Sequence, residues 1–158
     1  MVDTGIVGRE LGTVRFPVER SKLAELARSF GSTDPLWSDH DAAAEAGFDD
    51  IPVPPTVTVL ADLWREHGAL DGAVRLGLDL ARLLHGEASW TMLRPIRCGD
   101  ELTARSSVLD VAERVGNRGE SMTLVTIETG FTNQHGDSVA TRRDVVIETA
   151  GPTGKEQS

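Results

Sequence analysis

The sequence predicts an α+β fold in which helices cover one face of an antiparallel sheet. A short strand pattern over residues 12–18 is followed by helical patterns up to residue 67. From residue 83 onward Val, Ile and Thr are enriched, and glycine-containing turns separate four long strand patterns. One strand, then helices, then a meander of strands is the order that predicts this class.

The first elements follow from apolar periodicity. Alternating apolar side chains predict the strand over 12–18. A helix from Ser21 follows, because apolar residues recur at i, i+3, i+4 and i+7, and Gly31 ends it. A second short helix covers 38–46. Together these elements precede the most apolar part of the first half.

A central helix at about 56–67 is predicted next, with Thr56 as a possible cap. It follows a proline-rich segment, and we expect it to be mostly buried. Its apolar side chains are Val57, Leu60, Leu63 and Trp64. A looser connector over 68–79 leads to four predicted strands, at 83–94, 100–113, 120–134 and 137–149.

Length and charge limit the classes of function. The 158 residues predict one domain over 1–150 and a disordered tail over 151–158. A net charge of −9 disfavours binding to nucleic acid or to an anionic membrane. No run approaches the roughly 20 apolar residues of a membrane span. The single cysteine, Cys98, excludes a cysteine-cluster metal site and favours a cytoplasmic location. We expect no metal.

Six short segments of the chain carry a recognisable order and spacing: 34–39, 46–48, 53–56, 84–87, 94–100 and 132–136. Together they resemble the MaoC-like hydratase/dehydratase family. The resemblance implies a single hot-dog fold, in which a long antiparallel sheet wraps a central helix. Within the family, the chain is most similar to the N-terminal, substrate-binding type that includes accessory subunits of mycobacterial (3R)-hydroxyacyl-ACP dehydratases. It also resembles the dehydratase-like domain of fungal fatty-acid synthase.

The resemblance also implies where catalytic residues should lie, and this chain departs from the motif there. The family's catalytic Asp and His fall on Ser32 and Trp37, and its oxyanion-binding His-Gly falls on Pro54-Pro55. Serine is no base without an activating partner. The indole N–H of tryptophan cannot accept a proton, and proline has no N–H to donate. The motif therefore predicts no catalytic residue in this chain.

The leading hypothesis is an acyl-thioester-binding subunit. It would belong to an (R)-specific enoyl-CoA hydratase or (3R)-hydroxyacyl-thioester dehydratase and work beside a catalytic MaoC-type partner. CoA or an acyl-carrier protein would deliver the substrate, and no cofactor is expected. The candidate substrate-binding residues are Trp37, Pro54, Pro55, Thr56, His85 and Gly86.

Two other functions stay open. The chain could be a self-sufficient homodimeric hydratase, dehydratase or thioesterase that uses Asp34, Asp39, His40 or His85 as acid/base groups. Asp34 is more simply a turn former and His40 a surface residue. His85 fits a buried histidine, or a relay with Glu87 if the two share one side of a strand. Alternatively, the chain could be a non-enzymatic acyl-CoA-binding protein.

Overall fold

A five-stranded antiparallel sheet dominates the computed structural model, which describes residues 4–116 and 121–150. The strand order across the sheet is β1-β3-β4-β5-β2, so β1 and β2 form its two edges. The strands are β1 (Glu10–Pro17), β2 (Leu83–Met92), β3 (Glu101–Val115), β4 (Ser121–Thr132) and β5 (Ser138–Thr149). The four long strands begin and end within two residues of the predicted bounds.

The helices lie between β1 and β2 in the sequence. They are α1 (Arg20–Ser29), α2 (His40–Glu45), a central 3₁₀ helix (Pro55–Trp64) and α3 (Asp71–Leu76). Gly31 has φ 73°, a left-handed conformation that glycine adopts at little cost, just after α1. Single 3₁₀ turns cover Thr4–Ile6, Pro35–Trp37, Gly68–Leu70 and Leu80–Arg82.

The main core lies between the sheet, α1 and the central helix. Phe16 of β1 and Phe131 of β4 are about 1% exposed and meet edge to face, with ring centroids 6.5 Å apart. Val57 and Leu60 bring the central helix onto the same cluster. A smaller apolar cluster lies further along the sheet and contains Leu11, Val108, Val125 and Ile127.

The central helix is present, but it differs from the expected one. It is a 3₁₀ helix that ends at Trp64, three residues before the predicted end. Val57 and Leu60 are buried, whereas Leu63 and Trp64 are 71% and 55% exposed, so the expected burial of the last two side chains is wrong. The last turn directs Asp62 towards Arg142 of the sheet, and Arg65, which follows it, contacts Ser106. Leu63 and Trp64 are left exposed to solvent.

The connector after the central helix contains a helix that periodicity does not indicate. In α3, the buried Asp71 accepts one hydrogen bond from Arg75 Nε at 2.7 Å, and its carboxylate lies 3.1 Å from His67 Nδ1. Gly72 lies so close to Ile127 that a Cβ would approach its Cδ1 to 2.8 Å. Close contact with the sheet, rather than an apolar stripe, therefore positions α3.

Two further expectations concern the chain as a whole. The predicted disordered tail, 151–158, lies outside the described residues. Within 4–116 and 121–150, no helix combines the length and the apolar character that crossing a membrane requires.

Candidate functional site

The loop between α1 and α2 is held by its own polar side chains. Asp34 Oδ1 accepts a hydrogen bond from Leu36 N at 2.9 Å and so begins the 3₁₀ turn that ends at Trp37. Asp39 caps α2, because its Oδ1 accepts from the backbone N–H groups of the first two residues that follow His40. Both carboxylates therefore act as local caps, the ordinary role of aspartate at such positions.

This loop and the start of the central helix enclose a small apolar cavity of about 220 Å³. Ser32, Trp37 and Pro54 line it, together with residues of α1 and its C-terminal end: Leu23, Leu26, Ala27 and Phe30. The structure thus brings together the two positions of the family's acid/base pair and the first proline of the helix entry. Among the described residues that line this cavity, none is an acid or a base.

The start of the central helix offers one amide hydrogen in place of the oxyanion donor. Pro54 and Pro55 have no N–H, and Val57 N donates to Pro54 O at 2.9 Å. The first N–H at this end therefore belongs to Thr56. Pro55 lines a different, open cavity of about 820 Å³, between the segments 47–53 and 92–98.

The alternative acid/base residues do not converge. Asp34 and His40 are exposed, and His40 Nδ1 lies 3.8 Å from the carboxylate of the adjacent Asp41. His85 lies on β2 and lines a different cavity from the one that Ser32 and Trp37 line. No single site is formed by these three residues.

A β-bulge in β2 changes the expected relation between His85 and Glu87. His85 pairs with Val146 of β5, and Glu87 pairs with Val145, so Gly86 is the additional residue. Adjacent residues of a strand point to opposite faces, and so do their partners. The expectation that His85 and Glu87 share one side of the strand is therefore wrong.

Gly86 has a packing role that the sequence does not reveal. A Cβ at this position would lie 2.8 Å from Ile147 Cδ1 and 3.3 Å from Val145 O. A side chain at this position would therefore require Ile147 to move and would crowd the backbone of β5.

A larger cavity of about 400 Å³ lies between the sheet and the segment from the central helix to α3. Its volume falls within the range of small-molecule sites. Most of its surface is apolar, and β2, β4, β5 and the helical segment all contribute. The apolar lining residues include Val59, Leu70, Leu83, Ile127 and Val146.

Buried charges line this cavity. Arg142 of β5 donates to both carboxylate oxygens of Asp62, at 3.1 and 3.0 Å. Its Nε lies 2.8 Å from Asp144 Oδ2, an ion pair whose N–H is not aligned for a hydrogen bond. Burial acts to lower the pKa of Arg142, but the hydrogen bonds to Asp62 and the charge of Asp144 raise it overall. The guanidinium therefore stays charged.

The same network reaches the surface at His85 and the interior at Arg65. His85 Nε2 lies 3.5 Å from Asp144 Oδ1, and the His85 side chain is 59% exposed. Arg65, 6% exposed, donates to Ser106 Oγ at 2.7 Å, and this hydroxyl shares a 2.7 Å hydrogen bond with Thr129 Oγ1. The polar groups therefore run from the cavity's edge into the protein.

The sequence pattern does not reveal most of this cluster. Arg142 and Asp144 alternate with residues of the other face of β5, so a period of two could have placed them together. Asp62 and Arg65 gave no such signal, because they approach the sheet only through the fold. Over residues 4–116 and 121–150, no group of three or more His, Cys, Asp and Glu could hold a metal ion.

Comparisons with known proteins show which family and fold the chain shares. A family model for the FAS1-like dehydratase domain region matches residues 5–142. A UPF0336 protein of Saccharopolyspora erythraea is 33% identical over 147 residues, which cover 92% of this chain and 90% of the relative.

Two solved structures share the fold. The HadBC (3R-hydroxyacyl-ACP dehydratase) complex of Mycobacterium tuberculosis contains a chain with a TM-score of 0.68 and 25% identity, covering 90% of this chain and 96% of that one. A chain of the ChsH1-ChsH2 complex of the same organism gives 0.63 and 16%, over 92% and 98%. The hot-dog fold expected from the sequence is thereby confirmed. The chain belongs to the family of FAS1-like dehydratase domains, which are MaoC-like hot-dog proteins.

Proposed function

We propose that this chain is the acyl-thioester-binding subunit of an (R)-specific enoyl-CoA hydratase or (3R)-hydroxyacyl-thioester dehydratase that acts in the cytoplasm. It would belong to the N-terminal, substrate-binding type within its family. A separate MaoC-type chain would supply the acid/base pair. The proposal rests on one observation: the cavity shared by Ser32, Trp37 and Pro54 has no acid or base among the described residues that line it.

Hydration of an enoyl thioester needs one group that delivers a proton to the α-carbon, another that activates the attacking water, and donors for the thioester oxygen. Trp37 and the side chains of α1 give this cavity an apolar lining. Such a lining can bind an alkyl chain, but among the described residues that form it no side chain is an acid or a base that could transfer a proton. The cavity of about 400 Å³ between the sheet and the segment from the central helix to α3 offers further apolar volume for the acyl group.

The edge of the sheet supports pairing with another chain. β2 is an edge strand, and its large apolar side chains are exposed: Leu84 at 56%, Met92 at 40% and Trp90 at 38%. Natural edge strands that stay free are usually protected by charges, prolines or short length. A partner strand laid beside β2 would continue the sheet and cover these side chains. The two solved neighbours are themselves complexes of different chains.

The central test is turnover with and without a catalytic partner. The purified chain, a MaoC-type chain with an intact Asp/His motif, and their mixture are each assayed for hydration of crotonyl-CoA. We expect activity that requires the mixture, or that rises at least about tenfold in it. Robust turnover by this chain alone would contradict the proposal, and acyl-CoA binding without turnover in any mixture would favour a non-enzymatic binding protein.

The pairing surface has its own test. Met92→Lys places a charge on the β2 edge and should weaken co-purification with the partner. Leu109→Lys is the matched control, because Leu109 of β3 is an apolar side chain with the same 40% exposure, on an interior strand. Equal retention of the partner by both variants would exclude β2 as the interface.

His85 and Asp144 favour one alternative, a self-sufficient enzyme. Their side chains lie 3.5 Å apart at a cavity large enough for a substrate. A histidine near a carboxylate can serve as a general base. If this alternative is right, the chain alone turns over substrate and His85→Ala abolishes that activity, whereas unchanged turnover removes His85 from the mechanism.

A further inference from the structure

Arg65 carries a buried guanidinium with few hydrogen-bond acceptors. Its side chain is 6% exposed, and it donates one hydrogen bond, from Nη2 to Ser106 Oγ. Within the described residues this is the only hydrogen bond made by its five N–H groups. The carboxylates of Asp62 and Asp71 lie 3.6 and 3.8 Å away, beyond hydrogen-bond distance. Burial lowers the pKa of this guanidinium, in keeping with incomplete compensation for the lost water.

The side chain of Arg65 is one of the polar groups that line the cavity of about 400 Å³. Arg65, Ser106 and Thr129 line it together with apolar side chains such as Val59 and Ile127. The two hydroxyls already share a hydrogen bond with each other. One cavity therefore combines apolar surface for a hydrocarbon chain with a donor that lacks acceptors.

The charge of the cluster indicates which acceptor suits it. Three guanidiniums face three carboxylates that are buried or partly buried, and a fourth carboxylate, Glu66, is 74% exposed and lies 4.0 Å from Arg75. The cluster therefore has no excess of positive charge before any ligand enters. Its members are Arg65, Arg75, Arg142, Asp62, Asp71 and Asp144. An additional carboxylate would leave a buried excess of negative charge, which is costly. A neutral oxygen can accept from Arg65 without that cost.

On the basis of the proposed acyl-binding function, we infer that this cavity selects acyl chains bearing a neutral keto or hydroxyl oxygen beyond the reacting carbons, at carbon 5, 6 or 7, which accepts a hydrogen bond from Arg65. Plain alkyl chains leave the Arg65 donors unpaired. Chains that end in a carboxylate add the unfavourable charge.

Isothermal titration calorimetry with a series of CoA thioesters tests the inference. The ligands are octanoyl-CoA, its analogues with a keto group at carbon 5, 6 or 7, and octanedioyl-CoA. We expect at least one keto analogue to bind about tenfold more tightly than octanoyl-CoA, as a hydrogen bond to a charged group allows. We expect octanedioyl-CoA to bind more weakly than that analogue.

Failure of the inference and failure of the proposed function look different in this experiment. If octanoyl-CoA binds and no keto analogue binds more tightly, the inference is overturned while acyl binding stands. If none of the thioesters binds, the acyl-binding function fails and the inference fails with it.

Substitution of Arg65 assigns the preference to the residue. Arg65→Met should bring the affinity ratio of keto to plain thioester to about one while octanoyl-CoA still binds. The variant keeps the carboxylates paired, because Asp62 retains Arg142, and Asp71 retains Arg75 and His67.

Arg75→Met is the control, since Arg75 shares Asp71 but does not line the cavity and is 43% exposed; it should keep the preference. If Arg65→Met does not fold, Ala88→Leu narrows the same cavity from β2 and should reduce the preference. If Arg65→Met folds and still binds the keto thioester more tightly than octanoyl-CoA, the inference is overturned. If Ala88→Leu is used in its place, the same result overturns it.

Discussion

Replacing Arg142 with methionine removes the guanidinium that two partly buried carboxylates share. Its Nη atoms lie 3.1 and 3.0 Å from the Asp62 oxygens, and its Nε lies 2.8 Å from Asp144. The side chain of Arg142 is 9% exposed, and those of Asp62 and Asp144 are 18% and 19% exposed. Methionine fills a similar volume but leaves both acids with weaker partners.

The expected loss follows from these contacts. Removing one member of a buried ion pair costs about 3–5 kcal/mol, because the remaining charge has lost its partner. Asp62 keeps Arg65 at 3.6 Å and Asp144 keeps His85 at 3.5 Å, so we expect the lower part of that range. For a domain of this size, a loss of about 3 kcal/mol lowers Tm by about 6–12 °C.

Urea unfolding and thermal melts of the two adjacent arginine variants measure this effect. Arg143→Met is the matched control, because Arg143 also pairs with a carboxylate, Glu128 at 2.8 Å, but is 55% exposed. Exposed pairs contribute about 0–1 kcal/mol. The reasoning is refuted if Arg142→Met destabilises the protein no more than Arg143→Met does.

Two further changes test the packing and the charges around the same cavity. Gly86→Ala should lower the free energy of unfolding, measured in urea, by about 1–3 kcal/mol, because its Cβ would meet Ile147 at 2.8 Å. Gly130→Ala is the control: its Cβ would enter open space, so the free energy of unfolding should not change. Equal effects of the two substitutions would contradict the tight packing at the bulge. Burial acts to raise the pKa of Asp71, but hydrogen bonds from Arg75 and His67 lower it below its usual value. The stability that Asp71 contributes is therefore present above about pH 4 and is lost as the pH falls below that value, towards its lowered folded pKa. The free energy of unfolding, measured from pH 2 to 7, should fall less on acidification in Asp71→Asn than in wild type. Asp41→Asn is the control and should follow wild type, because the Asp41 carboxylate is 99% exposed. Superimposable profiles for all three proteins would disprove the contribution of Asp71.

Periodicity predicted the strands well because a sheet with one buried face imposes its period of two directly on the side chains. It was less informative for the central helix. Val57 and Leu60 are buried, whereas Leu63 is exposed, although the three follow one another at the same spacing of three residues. The bulge at Gly86 was equally hidden, because one additional residue leaves no mark in composition.

The sequence by itself determined the family, the sheet and the departure from the catalytic motif, since each depends on residue types at fixed spacing. Ser32, Trp37 and Pro54 can be compared with the motif without coordinates. Only the tertiary structure decided that these three share one apolar cavity and that His85 faces another. It alone brought Arg142 from β5 to Asp62 of the central helix, 80 residues apart in the chain. Such contacts depend on how strands and helices pack, and a buried charge is recognisable only once its distant partner is known.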